Sequence, residues 1–163
     1  MPTPRLHANI LVEELLRIFE TDLKTSLSLK SVMRGAIEFL PTSGITDLVN
    51  GIWVNLEPSI DISKSELPKN LLITYNFRIV YVRRMALNEN ALKVKIADIQ
   101  TITEKLIDSF KLADITNMTN GQVLWCLPTS VETDPPEDAY VSSIAADLTA
   151  IAFNAECLIR TRH

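Results

Sequence analysis

The chain has 163 residues, of which 47% are hydrophobic and 22% charged. That length and apolar content exclude a largely disordered chain and fit one domain, able to bury roughly 70% of its unfolded surface. Sixteen Lys and Arg against twenty Asp and Glu leave a net charge of −4, the wrong sign for a dedicated nucleic-acid binder.

Thr3 and Pro4 suit the N-cap and first position of a helix. Leu11, Leu15 and Ile18, with Val12, Leu16, Phe19 and Leu23, recur at helical spacing. An amphipathic helix is therefore expected over residues 6–25. Glu13 and Glu14 in its middle argue against a signal peptide. No run of about 18 uncharged apolar residues occurs, so no transmembrane helix and no membrane partner are expected. Residues 26–50 are weakly patterned and read as a loop or arm. Within them, residues 31–40 suit a strand or a short helix, and Pro41-Thr42-Ser43-Gly44 marks a break.

Strand patterning then begins. Ile52, Val54, Leu56, Ile60 and Ile62 alternate with Trp53, Asn55, Glu57, Ser59 and Asp61. Pro58 inside this run predicts a sheet edge or a bulge, because proline cannot donate to a ladder. After a loop over 63–70, Ile73, Tyr75, Phe77, Ile79 and Tyr81 alternate with Thr74, Asn76, Arg78, Val80 and Val82. The two strands predict an extended hairpin. Asn88 is the expected cap of a second helix reaching residue 112, with Leu92, Ile96, Ile99, Leu106 and Phe110 on its core stripe and Lys93, Lys95, Asp98 and Gln100 opposite. Asn120-Gly121 marks a turn. Val123, Trp125 and Leu127 begin a third strand that Pro128 is expected to break. Residues 132–138 read as a solvated acidic loop, and 149–162 as the closing strand. The order predicts a single α+β domain over 1–163. Its mostly antiparallel sheet of about four strands carries two amphipathic helices on one face. The other face carries Asn76, Arg78, Val80 and Val82 and calls for a partner.

Reaction chemistry leaves little trace. The two histidines, His7 and His163, lie at the ends of the chain, where catalytic geometry is hard to hold. No Gly-x-Ser-x-Gly elbow occurs. The four glycines, at 35, 44, 51 and 121, are isolated, so no phosphate cradle is formed. Asp98 with Glu104, and Asp108 with Asp114, are paired carboxylates by residue type, but carboxylates interleaved with lysines usually form a solvated face. Glu132, Asp134, Glu137 and Asp138 lack the spacing and glycine of a calcium loop. No catalytic residue, metal site or cofactor is expected. Cys126 and Cys157, 31 positions apart, read as buried reduced thiols in a chain made in the cytoplasm. Without a secretory signal, the acceptor Asn117-Met118-Thr119 should stay unglycosylated.

Two features point instead to contact with other proteins. Trp53 shares the otherwise polar face of Asn55, Glu57, Ser59 and Asp61, which suits either a cap on the core or an interface anchor. Arg83-Arg84 and Arg160-Thr161-Arg162 end two long strands. They read as edge protection or, if those strands are neighbours, as a basic docking rim.

The layout as a whole resembles the tail terminator (tail completion) proteins of long-tailed bacteriophages, of siphophage or myophage type. The resemblance rests on ordered landmarks: the opening helix over 6–25, the segment Gly51-Ile52-Trp53-Val54-Asn55-Leu56-Glu57-Pro58-Ser59-Ile60-Asp61-Ile62, the strand over 72–84, the helix over 91–112 and the closing strand over 149–162. Residues 26–50 have no counterpart in it. It implies a non-enzymatic virion protein, assembled in the host cytoplasm into a ring, typically a hexamer. Such a ring caps the tail tube, ends its polymerisation and joins it to the head connector or stopper. The implied partners are sister copies, the tube protein and the connector or stopper, with DNA passing through ungripped. Trp53, Glu57, Asp61, Arg83, Arg84, Arg160 and Arg162 are the expected interface residues. Related neck and head-completion proteins share a similar build. The competing readings are a small cytoplasmic enzyme using Ser31, Arg34 and Glu38, and an adaptor capturing a peptide on the sheet edge.

Overall fold

The computed structural model describes residues 15–17, 19–26, 29–35, 49–64, 71–85, 90–110 and 121–161. Among these are five strands: β1 (Ser31–Arg34), β2 (Gly51–Lys64), β3 (Leu71–Arg84), β4 (Gly121–Glu132) and β5 (Leu148–Thr161). A π-helical turn, Phe19–Leu23, runs into α1 (Lys24–Ser26), and two longer helices follow, α2 (Ala91–Phe110) and α3 (Pro136–Ile144). The sheet order is β1-β2-β3-β5-β4. β1 pairs parallel with β2, and every other pair is antiparallel. The expected antiparallel sheet of about four strands is thus a mixed sheet of five, the added strand coming from the weakly patterned stretch.

The alternation in β3 divides the sheet into two faces. Ile73, Tyr75, Phe77, Ile79 and Tyr81 are buried on one face with Ile52, Val54, Phe153 and Ile159, beneath Leu15, Leu23 and Ile102. Each such side chain contributes about 1.5–3 kcal/mol by leaving water. On the other face Trp53, Val80, Val82, Ala150 and Ala152 pack against Val141 of α3. Leu15 and Leu23 of the opening segment and Ile102 of α2 thus lie on one face, as expected for the two helices, and α3 is a further helix on the opposite face. Residues 132–138, expected as a solvated loop, lead directly into α3, with Pro136 in its first turn and Glu137 and Asp138 beside it.

The proline positions resolve in two ways. At Pro58 the β2–β3 register shifts between Leu56 and Ile60, as a strand-interior proline predicts. Pro128, expected to end a strand, lies inside β4, where the register shifts between Pro128 and Ser130 and pairing then continues to Glu132. A bulge absorbs the missing donor without breaking the strand.

In α2 the cap is Asn90, whose Oδ1 accepts the N–H of Lys93 at 3.2 Å. The expected cap, Asn88, lies outside the described residues, as do the first part of the opening helix, His7, Glu38 and Arg162. The expected core stripe is only partly buried: Leu92 and Ile96 are 54% and 53% exposed, while Lys95 and Asp98, expected in solvent, are buried. Lys95 Nζ donates to the Thr133 carbonyl at 2.6 Å, and Asp98 accepts from Arg83 Nη1 at 2.9 Å. These charged tethers hold the first turns of the helix to the strand ends, and its apolar residues there turn outward.

Candidate functional site

The register assembles rows of residues across the sheet, and these rows locate the polar chemistry. Asn55, Arg78, Asn154 and Ser130 share one row on the α3 face. Arg78 donates from Nε and Nη2 to both oxygens of Glu137, at 2.6 and 2.9 Å. It also donates from Nη2 to Glu132 at 2.5 Å and from Nη1 to Asn154 Oδ1 at 3.0 Å. Asn154 Nδ2 in turn donates to Ser130 Oγ at 3.0 Å. The forked guanidinium matches a carboxylate in two-point geometry. This hydrogen bonding holds the Glu137 carboxyl below the usual carboxylate range against the opposing effect of burial, and raises Arg78 above its ordinary value. Asp138 accepts the Ala150 N–H at 2.8 Å and lies 3.5 Å from Lys95 Nζ. Of the four acids expected to be solvated, Glu137 and Asp138 pin α3 to the sheet, Glu132 of β4 pairs with Arg78, and Asp134 is exposed. Burial pushes the Tyr81 phenol up to about 12, with Asp98 adding to the shift.

The expected site residues scatter. Trp53 is 1% exposed and lies in the α3-side core, its indole stacked close over Gly51. A Cβ at Gly51 would stand 2.5 Å from the Trp53 ring. The indole N–H of Trp53 is buried without a hydrogen-bond partner among the described residues. Trp53 does share the face of Asn55 and Glu57, but at an end of that face which α3 closes. Glu57 is half-buried and Asp61 exposed, both on β2. Arg83 pairs with Asp98, and Arg84 with Asp147 at 2.7 Å. The basic rim does not form. β3 and β5 are neighbours, but they run antiparallel, so Arg84 faces Leu148 while Arg160 faces Leu72. At about 3.3 Å per residue the two arginine groups stand roughly 40 Å apart.

The cysteines also depart from expectation. Cys157 is disulfide-bonded, and the register places Cys126, the chain's other cysteine, directly opposite it. Facing residues on adjacent strands lie within disulfide reach. A distance of 31 residues along the chain disguises this proximity, because the chain passes through α3 and returns antiparallel.

Among the described residues no group of three His, Cys, Asp or Glu side chains gathers as a metal site would require. No described helix is long and apolar enough to cross a membrane. A cleft of about 330 Å3 is lined by Glu20, Lys24, Leu29, Lys30, Ser31 and Val32. Of the residues suggested for an enzyme site it contains only Ser31, with no histidine or second nucleophile beside it.

Among the described residues, two strand edges stand open. β1 covers only Gly51 to Val54 of β2, and β4 ends the sheet on the other side. Ile60 and Ile62 on β2 are 41% and 61% exposed, and Leu124 and Leu127 on β4 are 40% and 42% exposed. An edge strand leaves a row of backbone donors and acceptors for another chain to pair.

No protein-family model matches the chain, and no curated protein matches it. A solved chain described as "Virion of native gene transfer agent (GTA) particle" is similar in structure, with a TM-score of 0.58 and 14% identity over 94% of this chain and 96% of that one. At that identity the likeness shows a shared fold.

Proposed function

We propose that this chain is a structural virion protein that works by assembling with copies of itself. The observation that carries the reading is the likeness to the virion chain, which extends over nearly the full length of both molecules. The open, partly apolar strand edges support it, because a building block must leave surface for its neighbours.

Within that class, the sequence landmarks favour a tail terminator. Six copies form a ring that caps the tail tube, ends its growth and meets the head connector or stopper. Chemistry is not its task. A net charge of −4 suits a lumen through which DNA passes without being gripped.

Mass photometry of the purified chain, alone and with tube protein, tests this. A species of about six copies is the expected result. A single 18.3 kDa species under both conditions overturns it. Electron microscopy of tubes grown with and without the chain separates the finer role. A terminator gives tubes of fixed length bearing a cap at one end, whereas a neck or head-completion protein leaves tube growth unchanged.

A further inference from the structure

Building on that assembly reading, we propose which two surfaces meet: residues 60–64 of β2 in one copy pair with residues 121–127 of β4 in the next, extending one antiparallel sheet from copy to copy.

Four observations lead there. First, the two segments lie at the same end of the sheet. The register places Ser63, Leu72, Arg160 and Gln122 in one row, and Ile60, Tyr75, Cys157 and Cys126 in another. Translating one copy sideways therefore brings the segments to the same height. Second, their directions match. β2 runs against β3, β3 against β5, and β5 against β4. A neighbour's β2 laid beside β4 in the same orientation is therefore antiparallel to it, and the ladder continues without reversal.

Third, the apolar surface coincides with the free edges. Six large hydrophobic side chains are exposed among the described residues. Four of them fall in these two segments, Ile60 and Ile62 in the rows of the helix-covered face, Leu127 in a row of the other face and Leu124 at the register shift of β4. Fourth, the β4 edge is weakly protected, its one safeguard being a register shift between Val123 and Trp125. Gly121-Gln122-Val123-Leu124-Trp125-Cys126-Leu127 contains no charge and no proline. An uncharged edge of this kind in a monomer invites uncontrolled pairing. The disulfide at Cys157, opposite Cys126, lies between the two register shifts of β4 and fastens this edge to the sheet.

A second copy is the favoured occupant because this molecule supplies both halves of the joint at one level. Pairing β2 with β2 across a two-fold axis would leave the uncharged β4 edge open. Pairing unlike edges uses both and repeats around a ring.

The test uses the full chain with Ile62→Cys and Val123→Cys, which share a row, singly and together, under non-reducing conditions in which the native disulfide does not react. A short bismaleimide is the probe. The double variant should give a covalent ladder of oligomers on denaturing gels, and each single variant should stay one chain long. Covalent dimers from Ile62→Cys alone would mean that the β2 edge pairs with itself, and overturn the proposal. So would a double variant that assembles by sedimentation but does not cross-link. A chain that sediments only as a monomer defeats the assembly reading itself, which separates the two failures. As a second arm, Ile62→Lys and Leu124→Lys should each raise the half-assembly concentration about tenfold or more. Combining Ile62→Lys with Val123→Glu, its row partner, should recover most of the loss caused by Ile62→Lys, with circular dichroism unchanged throughout. Failure of the charge-paired variant to recover assembly counts against the pairing.

Discussion

The two ends of the sheet are built differently. At the α3 end, Ile79, Val80, Tyr81 and Val82 are buried in succession, so both faces of β3 are covered. At the far end burial alternates strictly from Ile73 to Arg78, one face buried beneath the helices and the other carrying Asn76, Glu156 and Leu127. Arg78 and its carboxylates mark the boundary. The α3 end is finished within one chain, whereas the far end is covered on one face only and, among the described residues, has both of its edges open. Folding energy is concentrated at the first, and the proposed association falls at the second.

The largest expected effect on that contrast comes from Trp53→Ala, which empties the α3-side core. It should cost about 4 kcal/mol in urea unfolding, whereas Glu156→Gln at the far end should stay within about 0.5 kcal/mol. Equal losses at the two sites would erase the distinction. Arg78→Met comes next, at about 3 kcal/mol, because it leaves the buried Glu137 without its cation. Adding Glu137→Gln to that variant should recover part of the loss, which a double-mutant cycle measures. Gly51→Ala forces a Cβ against the Trp53 ring and should cost roughly 2 kcal/mol. The smallest effect is on pH dependence. Glu137 titrates below its ordinary value of 4.5 in the folded chain, so it stabilises the fold above that value. This contribution is lost as pH falls from there through the folded value. Urea midpoints between pH 6 and 3 should therefore fall less steeply in Glu137→Gln than in the parent chain.

Much of the sheet was legible in the sequence. The alternation of β2, β3 and β5 is a local signal, and Pro58 announced its own bulge. What escaped needed information carried by distant residues. Lys95 and Asp98 look like solvent-facing helix charges until Thr133 and Arg83 are brought beside them. The two arginine groups look like one rim until strand direction sets them at opposite ends. Cys126 and Cys157 have no readable spacing, because their proximity is a matter of register. α3 was different, since its signals were present in the chain. Pro135-Pro136 followed by Glu137-Asp138 is a helix start, and the unbroken apolar run at Ile79 to Val82 already indicated cover on both faces. Acidity and proline together were read as a loop. Trp53 leaves two readings open in the sequence, core cap or interface anchor, because its strand neighbours are polar; its burial beneath α3 favours the first.

The interruptions at Pro58 and Pro128 fall at one level, because Leu56, Phe77, Ala155 and Pro128 share a row. A bulge bends its strand and sharpens the local right-handed twist, so the sheet is creased along that line on both borders at once. In the ring proposed above, the angle of this crease would set how far one copy leans toward the next, and with it the diameter of the bore.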